Sequence, residues 1–167
     1  MSQVITSVER LNELFSYRDG HLYWKSLSSP LSRAKIGAKA GALATRGYWR
    51  VKVDGVTHMA HRVIYAMHNN GYCPEFIDHI DGNTGNNKIE NLRPATITEN
   101  AQNVKLHKNS TTGIKNVSWM PSKNRWRVMI SINKKRKTWL VKDLELAELV
   151  AIEARDKYHG KFANHGI

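Results

Sequence analysis

Asp78-His79-Ile80-Asp81-Gly82-Asn83-Thr84-Gly85-Asn86-Asn87, followed by Asn91-Leu92-Arg93 and then Asn100, is the stretch on which the reading of this chain turns. Asn91 stands twelve residues after His79 and Asn100 twenty-one after it, a spacing that lets a finger of two strands and a helix bring side chains to one point. Such convergence can hold a metal. A hard divalent cation takes oxygen ligands and keeps several waters, so Asp78 and Asn100, with the other positions left to water and a phosphate, make a coherent set. Histidine, as a residue type, can take a proton from an attacking water, and His79 stands beside Asp78. Residue types alone also allow a plainer reading, in which an Asp-His pair before an Asn-rich loop is turn chemistry and capping. Asp81-Gly82 is read as a tight turn rather than as a second acidic ligand.

Upstream, Thr6-Ser7-Val8-Glu9 has the form of a capping box, and Val8, Leu11, Leu14 and Phe15 recur at helical spacing. Arg18-Asp19-Gly20 reads as a turn into a strand near residues 22–25, after which residues 26–44 form a Ser-, Gly- and Ala-rich loop. Tyr48-Trp49-Arg50-Val51-Lys52-Val53 alternates with period two, and Asp54-Gly55 is a strong hairpin signal. A helix is expected over residues 61–68, a strand at Phe76-Ile77, and a helix from Thr96 or Thr98, with Thr96 able to cap and Glu99 three residues later.

Downstream the composition changes. The chain carries 12 basic and 9 acidic residues before Val104, a net of +3, against 14 and 5 after it, a net of +9, within a total of +12. Eleven Lys and Arg and no Asp or Glu fall between Lys105 and Lys142, interleaved with Trp119, Trp126 and Trp139. That mixture is too aromatic for a disordered tail and points to a folded module with a polyanionic partner. Residues 105–112 read as a basic linker. Strands are expected near 114–119, 125–132 and 136–141, then a helix over 144–159 whose apolar stripe is Leu146, Leu149, Val150 and Ala154, ended by Gly160. Alternation puts Trp126, Val128, Ile130 and Ile132 on one face of the middle strand, and Arg125, Arg127, Met129 and Ser131 on the other. A connection of two or four residues after Ile132 turns Trp139 to the helix, whereas one of three turns it outward with Lys137.

The single cysteine, Cys73, forbids an internal disulfide and a Cys-rich zinc cage, so no structural zinc is expected and the thiol is read as a small buried hydrophobe. No apolar run approaches the ~18 residues of a membrane span, and Met1 to Arg10 lacks the plan of a secretory signal. The expected setting is cytoplasmic, without a membrane.

The motif Asp78-His79-Ile80-Asp81-Gly82-Asn83, Asn91-Leu92-Arg93 and Asn100 resembles the HNH (His-Me finger) nucleases, in particular homing-type phage endonucleases. The resemblance implies His79 as general base, Asp78 and Asn100 as metal ligands, and Asn91 as the residue that braces the loop and orients the histidine. It implies one divalent ion, Mg²⁺ with Mn²⁺ able to substitute, double-stranded DNA as substrate, and cleavage that leaves a 3′-hydroxyl. Ala60-His61-Arg62-Val63 matches an upstream His-Arg element read as mainly structural, and Asn86 stands where relatives commonly have Asp. Gly113-Ile114-Lys115-Asn116-Val117-Ser118-Trp119, Arg125-Trp126-Arg127-Val128 and Tyr158-His159-Gly160-Lys161-Phe162-Ala163 resemble a DNA-binding domain of the Apetala/ethylene-response-factor type. Lys115, Trp119, Arg125, Arg127 and Lys137 are the expected DNA contacts.

The expected fold is α+β: an N-terminal helix and β-hairpin lead into a ββα-metal finger, and a three-stranded antiparallel sheet packs on one helix. The nuclease domain is expected over residues 1–104, with its finger at about 60–104, and the DNA-binding domain over 113–167. Monomer and homodimer are both open. So are two other classes: a non-catalytic, sequence-specific DNA-binding protein, and an RNA-binding module that stacks bases on its aromatics.

Overall fold

The computed structural model describes residues 5–27, 32–132 and 135–166. Residues 1–4 of the segment compared with a secretory signal, residues 28–31 of the Ser-rich loop, and Lys134 of the basic run lie outside the described residues. The chain divides into two compact units, Met1–Thr96 and Ile97–Ile167.

The first unit opens with α1 (Val8–Leu14), which buries Leu11 and Leu14. Its cap is Ser7, whose hydroxyl accepts the Arg10 N–H at 3.2 Å, so the helix starts one residue later than a Thr6 capping box requires. Phe15 leaves the helical stripe and begins β1 (Phe15–Arg18), which pairs antiparallel with β2 (His21–Trp24). The turn sets this. Asp19 and Gly20 both take positive φ, 44° and 81°, the geometry that joins two twisted strands tightly, and it places Phe15 opposite Trp24 with ring centroids 4.8 Å apart.

A second antiparallel sheet has the order β3 (Ala42–Leu43), β4 (Trp49–Val53), β5 (Val56–Met59). Asp54 and Gly55 turn it as the sequence predicts, with φ of 44° and 87°. Gly41 has φ of +95° and lies against the Arg50 carbonyl so closely that a Cβ would collide with that oxygen. Gly41→Ala is therefore expected to cost about 1–3 kcal/mol, read as a lower urea midpoint with an unchanged slope. β5 passes directly into α2 (Ala60–His68), which buries Ala60, His61, Val63, Ile64, Tyr65 and Ala66. Last comes β6 (Phe76–His79), paired antiparallel with β7 (Leu92–Ala95) so that His79 faces Leu92 and Asp78 faces Arg93. β7 contains Pro94, which has no N–H for a ladder and argues against a strand in the sequence; a two-stranded sheet tolerates it because every strand there is an edge. Leu11, Leu14, Phe15, Leu22, Val51, Val53, Val63, Ile64, Cys73, Ile77 and Leu92 share one core.

The second unit contains α3 (Ile97–Gln102), then β8 (Val117–Met120), β9 (Arg125–Ile132) and β10 (Lys135–Val141) in the antiparallel order β10-β9-β8, and α4 (Leu144–His159). Asp143 caps α4 by accepting the Leu146 N–H at 2.9 Å, and Gly160 ends it with φ of 51°. The unit starts before the expected boundary at residue 104, because Lys115 Nζ donates to the Gln102 carbonyl and Asn164 to Asn103, tying α3 to this fold. Residues 105–112 thus run inside the unit rather than between two.

The buried stripe of α4 is Ala147, Ala151, Ala154 and Arg155, whereas Leu146 and Leu149 face outward, Leu149 at 63% exposure. This corrects the expected stripe. Trp126 and Trp139 already fill the space above the sheet, so the helix must present small side chains to approach it.

Candidate functional site

Three expected site residues come together in the first unit. Asp78 and His79 are the last two residues of β6, so their side chains leave opposite faces of the strand, and both are buried, at 3% and 5% exposure. Asp78 Oδ2 accepts from Arg93 Nε at 2.8 Å and pairs with Nη2 at 2.6 Å, across the ladder position that the register assigns. His79 Nε2 lies 2.9 Å from Asn87 Oδ1. An amide oxygen can only accept, so Nε2 carries the proton and the basic lone pair rests on Nδ1.

The loop after β6 is built around Asp81 and Asn91. The Asn91 amide oxygen accepts the Asp81 N–H at 3.1 Å, and its Nδ2 donates to Asp81 Oδ1 at 3.0 Å and to the Asn86 carbonyl at 2.8 Å. Its own carbonyl accepts the Ile80 N–H at 2.9 Å. Asn91 thus ties the loop together, while the histidine's Nε2 partner is Asn87, which was not among the expected site residues. Asp81 is a turn residue: it accepts from the Asn83 N–H at 2.8 Å and from Asn86 Nδ2 at 2.7 Å. Burial pushes its carboxyl up, but the bonds from Asn86, Asn83 and Asn91 and the nearness of His79 hold it below the ordinary value. The Asn86 departure also has a reason here, since a carboxylate in its place would face the Asp81 oxygens.

His61, from the start of α2, stands edge-on to His79 with ring centroids 5.1 Å apart, and Tyr48 lies against both, at 5.6 and 6.0 Å. Burial, reinforced by the charges of His79 and Arg62, lowers the His61 pKa to about 3. At neutral pH it is an uncharged wall beside the His79 ring. The upstream His-Arg element thus sits at the centre itself, a placement that residue types could not give.

The oxygen donor of Asp78 suits a hard divalent cation. Among the described residues no group of three or more His, Cys, Asp or Glu side chains is placed to hold a metal ion. Asn100 lies on α3, in the second unit.

In the second unit the register sorts the five expected DNA contacts. Arg125 and Arg127 share the face turned away from α4, with Ser118 and Met120 of β8 and Leu140 of β10 opposite them, and the Arg127 Nε and Nη2 donate to Ser118 Oγ at 3.2 and 3.1 Å. Arg136, paired with Ser131, joins this face and was not among the expected contacts. The other three point elsewhere. Trp119 pairs with Trp126 on the helix side, their rings 4.8 Å apart. Lys137 also lies on the helix side, donating to the Tyr158 hydroxyl at 3.1 Å and capping its ring at 4.4 Å, because the two-residue link between Ile132 and Lys135 fixes its parity with Trp139. Lys115 precedes β8 and is turned to α3, half-buried. Asn116, at φ of 69°, breaks the alternation between it and the strand.

Residues 58–102 match the family model described as HNH endonuclease. The chain is 39% identical over 98 residues to Protein 3.8 of Escherichia phage T7, an alignment that covers 56% of this chain and 79% of that protein. No solved structure matches the chain. No helix among the described residues is long and apolar enough to cross a membrane.

Proposed function

The chain belongs to the family of Protein 3.8 and carries an HNH endonuclease domain, and from that premise we propose that it is a divalent-metal-dependent endonuclease of double-stranded DNA, a site-selective nuclease of the homing type. The observation that carries the reading is His79: a buried imidazole, with its proton fixed on Nε2 by Asn87, beside the Asp78 carboxylate at the end of one strand.

By the resemblance, Asp78 would help to hold the cation, Mg²⁺ or Mn²⁺. When bound there, such an ion stabilises negative charge on the scissile phosphate and on the leaving oxygen. His79 Nδ1 would take the proton as the water oxygen bonds to phosphorus and the bond from phosphorus to O3′ breaks, giving a 5′-phosphate and an O3′ oxyanion that takes a proton from solvent to become the 3′-hydroxyl. Asn91 holds the loop that carries Asn87, and His61 keeps water from the far side of the ring. A dry wall matters because a solvated imidazole would share its proton with bulk water rather than with the nucleophile.

The open face of the β8-β9-β10 sheet supplies duplex binding, in the manner of the Apetala/ethylene-response-factor domain. What supports this is a three-stranded antiparallel sheet backed by one helix, with Arg125, Arg127 and Arg136 together on its free face. Arginine pairs bidentately with guanine, and Ser118 already orients the Arg127 fork. Arg127→Ala is expected to weaken binding of the preferred duplex by about 1–3 kcal/mol and to relax one base position. Fluorescence anisotropy on a duplex library reads both; equal affinity for all sequences in wild type and variant removes the base-reading role.

The reading as a whole is tested by incubating supercoiled phage or plasmid DNA with the protein and Mg²⁺ or Mn²⁺, with EDTA as control. Metal-dependent nicked or linear product is expected, ending in a 3′-hydroxyl. A mobility shift with no cutting across a broad sequence library supports a non-catalytic DNA-binding protein instead.

A further inference from the structure

A groove of about 310 Å³ in the second unit is lined by Thr98 and Gln102 of α3, by Lys115 and Asn116, and by His159 at the end of α4. Its chemistry is one-sided. Lys115 Nζ donates to the Gln102 carbonyl at 3.0 Å, and no ion pair joins it to a carboxylate among the described residues. Arg155, at 1% exposure, donates to the Lys115 carbonyl at 2.7 Å and to Asn116 Oδ1 at 3.4 Å, which leaves Asn116 its amide N–H groups to give. His159 Nε2 donates to the Ser131 carbonyl at 3.4 Å, and its buried Nδ1 has no hydrogen-bond partner among the described residues.

Charge and burial agree with this inventory. Burial and the Arg155 charge push Lys115 down to about 8, and burial with Lys115 and Arg155 lowers His159. Glu148 and Asp156 offset the effect for Arg155, and no carboxylate does so for Lys115 or His159. Lys115 thus holds its charge in the groove at a cost, with the Arg155 guanidinium close behind it, and an anion would reverse that cost for Lys115 and for a protonated His159 alike. His159 is also the last residue of α4, where the helix dipole favours the protonated ring.

We infer that this groove binds a phosphate group of the nucleic-acid backbone, with Lys115 Nζ and the Asn116 amide as donors, joined by His159 Nδ1 when the bound anion draws a proton onto the ring. The assignment rests on the DNA-binding reading above but uses a site separate from the arginine face, so the two are distinguished by what they do. A phosphate contact carries no base sequence and is measured by salt.

The test uses the full chain. Lys115→Gln and, as a second variant, His159→Gln are titrated with duplexes of unrelated sequence between about 50 and about 200 mM salt. Lys115→Gln is expected to weaken every duplex by a similar factor and to reduce the slope of log K against log salt by about one. Inorganic phosphate is titrated separately while the His159 ring protons are followed by NMR; a saturable shift is expected in wild type and not in Lys115→Gln. An unchanged salt slope in both folded variants overturns the backbone assignment. If the phosphate shift persists while the slope is unchanged, the groove serves a free phosphate rather than DNA. If wild type binds no duplex at all, the proposed function fails, and absence of any phosphate shift then overturns the groove independently.

Discussion

His79→Ala is expected to abolish detectable cleavage while leaving duplex affinity within a few-fold. A positioned general base supplies about 10²–10⁴ in rate. The nearest ring, His61, is held uncharged with a pKa of about 3, too weak a base to accept the proton of an attacking water. Affinity persists because the imidazole is buried and the groups proposed to bind DNA are Arg125, Arg127 and Arg136 on another unit. The measurement is a plasmid gel beside anisotropy on the same preparation, with a urea melt to establish that the variant is folded. Cutting at the wild-type rate would remove His79 from the reaction; loss of binding together with cutting would make it a structural residue.

The second large effect concerns acid. His61 has an ordinary pKa of 6.5 when unfolded and about 3 when folded, so between those values the unfolded chain binds the extra proton. Stability therefore rises with pH across that window: it is complete above about 6.5 and is lost as pH falls toward 3. At pH 4 the loss is about 3 kcal/mol, a large share of the roughly 5–15 kcal/mol that holds an ordinary domain together. Urea unfolding at pH 7 and pH 4 should show it, and His61→Gln should remove most of the difference. His58 and His159 titrate in the same direction, and Asp81 adds its own loss below its ordinary value of 3.8, so the comparison of wild type with variant isolates His61. An equal pH 4 penalty in the two proteins would mean that water reaches the ring and that its burial is not maintained in solution.

Much of this was legible in the sequence, and the failures share a physical cause. Asp54-Gly55, the β9 alternation, the α4 span and its Gly160 stop are local signals, written in residues that act within a turn or two. The Asp78-His79 pair was legible as a motif, but Asn87 was not, because a loop with Asn83, Asn86, Asn87 and Asn91 offers four amides and only the folded path selects one. Arg93 answers to Asp78 through a strand register that Pro94 conceals. The misplaced contacts in the second unit follow from parity. Trp119 shares its face with Val117, which is buried, and that signal was present; Lys137 depended on a link whose length only pairing reveals. The α4 stripe is not legible from apolar bulk alone, because two tryptophans across the interface reserve the contact for alanines.

The arginine face has a consequence for the information a target can carry. Same-face residues on a strand repeat about every 7 Å, two base-pair steps of ~3.4 Å each, so under the proposed function Arg125 and Arg127 would address alternate pairs rather than neighbours. Two bidentate readers at that pitch define a short and gapped word, one that recurs throughout any genome offering about 10⁶ competing positions. Under the proposed function, selectivity beyond that word falls to sequences whose duplex bends or narrows cheaply under the sheet, and the preferred targets of this chain should cluster by deformability before they align by letter.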